Sequence, residues 1–96
     1  MNKLLLAALL VSAPTFAVSK IEYCNTVKNV AEQVMDLRQI GIAEDIVKDA
    51  GRNDLIFQAT VKHAYKYDVV NDETEKQLLI GKFGRDAFTA CMSIKD

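Results

Sequence analysis

Tryptophan is absent from this 96-residue chain, histidine and proline occur once each, and cysteine occurs twice. Each scarcity closes off a class of chemistry. With His63 as the one imidazole and two cysteines suited to bridging each other, no set of three or four zinc ligands can be assembled. The acidic stretch from Asp68 to Glu75 lacks the oxygen spacing and central glycine of a calcium loop, and it suits helix capping instead. Neither a nucleophile elbow nor a triad spacing surrounds the few serines and threonines, and adjacent carboxylates such as Glu44 and Asp45 point apart on a helix. No basic excess exists either: 12 Lys and Arg stand against 13 Asp and Glu, interspersed in every segment. A nucleic-acid partner needs clustered cations to neutralise phosphates, so none is expected. An enzyme, a metal site and a cofactor are likewise not expected.

The one long apolar run is at the start. Lys3 precedes Leu4 to Val11, and Ser12 to Ala17 supplies small residues, the pattern of a secretory signal peptide cut after Ala17. Eight apolar residues fall far short of the roughly 20 that a spanning helix requires, so this is not a transmembrane anchor. No cysteine follows the cut directly, which argues against a lipid anchor. The expected organisation is a leader at 1–17 and a single domain at 18–96, placed in the periplasm or secreted. Of the 12 basic residues Lys3 leaves with the leader, so the mature domain carries 11 against 13 acidic side chains.

Within the domain no proline interrupts the chain and no strand alternation occurs, so helical periodicity decides the fold. Tyr23 to Gly41 is the organising stretch: Val27, Val30, Ala31, Val34, Met35 and Leu37 recur at spacings of three and four, with Ser19 as N-cap and Gly41 as terminator. A second helix is expected over residues 42–50, with Ile42, Ile46, Val47 and Ala50 inward and Gly51 ending it. Asn53 or Asp54 should cap a third, reaching Tyr67, with Leu55, Ile56, Ala59, Val61, Ala64 and Tyr65 inward. Asp72 should start a fourth that runs to about Ile94, with Leu79, Ile80, Phe83, Ala87, Phe88, Cys91 and Met92 inward. Gly81 and Gly84 each cost this helix about 1 kcal/mol relative to alanine, which close approach of a neighbouring helix, or else a kink, would explain.

Export and an even cysteine count support each other, because disulfides persist outside the cytoplasm. Only one internal pairing exists, Cys24 with Cys91; free thiols or an intermolecular bridge are the alternatives. Closing so long a loop stabilises a domain by roughly 4 kcal/mol on the chain-entropy account. The bridge would set the first and last helices side by side and antiparallel. The expected fold is thus all-α: a small four-helix domain stapled by one disulfide between its first and last helices.

Three polar or aromatic residues are candidate binding groups. Arg38 and Gln39 lie in the last turn of the first helix beside a glycine turn, where an arginine fork would suit a partner's carboxylate. The structural alternative is that the pair is a local hydrogen-bonding device, with Arg38 binding the free carbonyls of its own helix end or pairing with Asp36, Asp45 or Asp49. Tyr67 falls one turn after His63 in the most aromatic and cationic stretch, and tyrosine is enriched at binding hot spots. Its alternative is packing at the helix end.

A cysteine followed by Val34-Met35-Asp36-Leu37-Arg38-Gln39-Ile40-Gly41, then Ala64-Tyr65, Thr74, Lys76, Ile80, Phe83 and a closing Cys91, resembles a group of small exported helical proteins of phage and proteobacterial genomes. The likeness spans nearly all of the mature chain. It implies a compartment and a disulfide, not a mechanism. That group usually has a proline after the Ala-Tyr segment where this chain has Tyr67-Asp68-Val69-Val70, so the connection before the last helix is expected to differ. In architecture alone the chain is also similar to the periplasmic acid-stress chaperones. The expectation is an exported protein-binding module, such as a phage-derived inhibitor or exclusion factor, whose partner is a protein of the cell envelope. A periplasmic acid-stress chaperone is the alternative.

Overall fold

A computed structural model describes residues 18–95; the leader assigned to residues 1–17 lies outside the described residues. Four helices and no strand occur among the described residues: α1 (Lys20–Gln39), α2 (Glu44–Asp49), α3 (Leu55–Ala64) and α4 (Glu73–Ser93). The fold is all-α, as the periodicity predicts.

Local chemistry starts and stops α1. Ser19 is extended and its hydroxyl accepts from the Glu22 amide at 3.1 Å, while the Glu22 carboxylate accepts from the Ser19 amide, a complete capping box. At the other end Gly41 takes φ +92°, a conformation that costs glycine little. The Gly41 amide then donates to the Arg38 carbonyl and the Ile42 amide to the Leu37 carbonyl, which makes a Schellman turn with Leu37 and Ile42 both against the core. Asp54 caps α3, accepting from the Ile56 and Phe57 amides, and Asp72 caps α4, accepting from the Glu75 amide.

α1 and α4 run antiparallel and in register along the molecule. Cys24 is bridged to Cys91, the stem of Glu32 lies over Gly84, and Lys76 donates to the Gln39 carbonyl at 3.1 Å. A Cβ at position 84 would stand 2.5 Å from the Glu32 Cγ, so close helix approach is what Gly84 permits. Gly81 is different, since the nearest atom to such a Cβ is an Arg85 nitrogen at 3.5 Å, an ordinary contact.

α2 and α3 close one end. The core gathers Ala31, Val34 and Met35 of α1, Val47 of α2, Val61 and Ala64 of α3 and Phe83 of α4, with Phe57, Tyr65, Leu79 and Ile80 at its margin. Burying the larger of these side chains, Val34, Met35, Val47, Val61 and Phe83, contributes about 1.5–3 kcal/mol each. Two inward faces differ from expectation. On α3 the inward stripe is Phe57, Val61 and Ala64, leaving Leu55, Ile56 and Ala59 exposed, and on α2 only Val47 is buried while Ile46 faces solvent. A helix of six residues has room for one inward position at this depth, and α3 is rotated so that its bulkiest residue packs inward.

α3 also ends three residues before Tyr67. From Ala64 onward the amides of Lys66 and Tyr67 bond three residues back, and the carbonyls of Tyr67 and Asp68 are taken by side chains from α1. Those distant donors end the helix in place of a glycine or proline.

Candidate functional site

Arg38 and Gln39 turn inward. Gln39 is 1% exposed and its amide is fully used: Nε2 donates to the Asp68 carbonyl at 2.9 Å and contacts the Met35 sulfur, and Oε1 accepts from the Val70 amide at 2.9 Å. Arg38 Nε donates to the Tyr67 carbonyl at 2.9 Å, and its guanidinium lies 5.0 Å from the Tyr65 ring centre. The expectation that the ends of both side chains stand exposed fails for Gln39, which is buried, and holds only in part for Arg38, which is half-buried. They clamp the connection between α3 and α4 because that proline-free segment leaves its own backbone groups without helical partners. The carboxylates Asp36, Asp45 and Asp49 are not the partners of Arg38.

Tyr67 is half-buried in a three-ring cluster, 5.8 Å from Phe83 and 5.9 Å from His63, with His63 stacked on Phe83 at 5.5 Å. His63 is exposed, but its ring covers the core's edge. Tyr65 donates its hydroxyl to the Ile42 carbonyl at 2.6 Å; burial pushes this phenol above its ordinary value, and the Arg38 guanidinium partly opposes the rise. Arg38, Gln39, Tyr65 and Tyr67 together make a brace for the α3–α4 connection.

Away from this brace, apolar surface is left open between α1 and α3. Tyr23, Val27 and Val30 of α1 and Ile56 and Phe57 of α3 line a groove of about 160 Å³, together with Thr26, Thr60 and Asp54. Both threonine hydroxyls are already bonded to carbonyls of their own helices, so the groove presents chiefly carbon. Its volume is below the roughly 300–1,000 Å³ of small-molecule pockets. It suits one or two side chains of a protein partner. Tyr23 also borders a hollow over the disulfide, lined by Val18, Lys20, Cys24, Cys91 and Ile94, so the two areas share one residue. Leu55, 84% exposed, stands beside Ile56, which is 54% exposed.

Periodicity hides these residues, because an apolar residue in an amphipathic pattern is assigned to the core. The one signal was an excess, since Leu55, Ile56 and Phe57 in succession exceed what a single stripe can bury. Among the described residues no group of three or more metal-ligating side chains is present, and no helix is long and apolar enough to cross a membrane. No protein-family model matches the chain, and neither a curated protein nor a solved structure is found to be similar to it.

Proposed function

We propose that the protein is an exported protein-binding module of the cell envelope, of the kind a phage-derived inhibitor or exclusion factor represents, and that it takes its partner in the groove between α1 and α3. The observation that carries this is the apolar groove in which Tyr23 and Ile56 are exposed and Val27, Val30 and Phe57 are only half-buried. Exposed continuous apolar surface marks interaction sites in small domains. Two helices with a groove between them receive an amphipathic segment by its apolar side chains, in the helix-in-groove mode. Asp54 in the lining favours a basic residue on that segment. The leader pattern supports export, and the disulfide is compatible with an oxidising compartment.

The test is photo-crosslinking in cells from a reactive residue at position 56, with position 86 on the far helix as control. One envelope protein trapped from position 56 and none from position 86 is the expected result. Equal labelling at both, or trapping of a second copy of the chain alone, would overturn the reading. Capture of many unrelated proteins only after acidification would move it to the acid-stress chaperone.

A further inference from the structure

The disulfide stands apart from the hydrophobic core. Core packing reaches no nearer the start of α1 than Val30 and no nearer the end of α4 than Ala87. Between Cys24 and Val30, and again between Ala87 and Cys91, no residue is fully buried. Residues 20–29 and 88–93 therefore form a two-helix extension in which the buried contact is the bridge itself, with Cys24 at 0% and Cys91 at 8% exposure. A ten-residue helical segment is marginal in water without tertiary packing. Tyr23, Thr26 and Val27, which form most of the α1 wall of the groove, all lie in that segment.

We infer that the Cys24–Cys91 bridge is a redox latch on the groove: oxidised, it holds the α1 wall in place, and reduced, it lets residues 20–29 and 88–93 unwind while the core persists. This rests on the groove as the binding surface. A dithiol is the reductant class required. Its thiolate attacks the sulfur of Cys91, the more exposed of the two, and the sulfur–sulfur bond breaks with Cys24 leaving as a thiolate that takes a proton. The second thiol of the reductant then resolves the mixed disulfide, so two electrons reach the protein, Cys91 is released as a thiol and the dithiol becomes a disulfide. The least-packed part of a domain opens first, which places the loss at this end.

Backbone ¹³Cα chemical shifts of the oxidised protein and of protein treated with dithiothreitol test the latch with no partner present. The expected result is that residues 20–29 and 88–93 lose at least about half of their helical shift while 31–39 and 73–84 keep theirs. The double variant Cys24→Ser with Cys91→Ser should show the same pattern without reductant. Random-coil shifts throughout would make the bridge a global staple, and unchanged shifts would leave it no conformational role; either overturns the latch. Crosslinking from position 56 is scored separately. Its absence in the oxidised form sinks the groove reading, whereas its presence in both redox forms sinks the latch.

Discussion

Glu32 and Gly84 share one space: the Glu32 Cγ and Oε2 stand 2.5 and 2.6 Å from where a Cβ on residue 84 would be. The clash involves the stem of the glutamate, so relief requires a new rotamer and loss of its 3.3 Å pairing with Lys28. Gly84→Ala is expected to destabilise by about 1 kcal/mol despite the better helix propensity of alanine. In a Glu32→Ala background the same change should stabilise. Gly81→Ala, which meets only an ordinary contact, should stabilise by about 0.5–1 kcal/mol. Urea denaturation of the four variants measures the coupling.

Replacing Gln39 strands groups on both sides of the α3–α4 connection. Gln39→Ala leaves the Val70 amide and the Asp68 carbonyl without their side-chain partner and should cost about 3 kcal/mol. Arg38→Ala removes one bond and a ring contact at a half-buried site and should cost about 1–2 kcal/mol. Equal small losses for the two in thermal or urea melts would mean that the connection is not braced from α1.

Tyr65 ties stability to alkaline pH. Its raised value means that the folded state holds the phenolic proton more tightly than the unfolded chain does, chiefly through burial. That contribution is complete below the ordinary value of about 10 and is lost as pH rises through the folded value. Tyr65→Phe should cost about 1 kcal/mol at neutral pH, through the lost bond to Ile42, and the gap between parent and variant should narrow above about pH 10. A gap that is constant with pH counts against the coupling.

Ile56 is the sharpest separation of surface from core. Being more than half exposed, Ile56→Asp should change stability by less than about 0.5 kcal/mol. Crosslinking from a reactive residue at position 23 should nevertheless be abolished by it. A stability loss of several kcal/mol would place Ile56 in the core and close the groove as a site.

The starts of α1, α3 and α4 were legible because each depends on residues three apart: Ser19 with Glu22, Asp54 with Phe57, Asp72 with Glu75. Gly41 marked the end of α1 for the same reason. The end of α3 was not legible, since the groups that stop it, Arg38 and Gln39, lie 29 residues earlier and nothing local announces them. Gln39 was misplaced because a polar residue at a helix end is ordinarily solvated, and only the uncapped backbone of the α3–α4 connection draws it inward. Burial of α3 follows Phe57, whose bulk outweighs the pair Leu55 and Ile56, and so those two, expected inward from periodicity, stand at the surface.

The covalent tie between Cys24 and Cys91 also sets how the domain bears tension. A pull applied at residues 18 and 95 passes through six residues, crosses the bridge and leaves through four more, bypassing everything between the two cysteines. In the oxidised protein the core, the α3–α4 connection and its clamp therefore sit in a closed loop that bears no load. A single-molecule extension trace would show only the short outer segments yielding, and after reduction the same pull would unravel the helices in full.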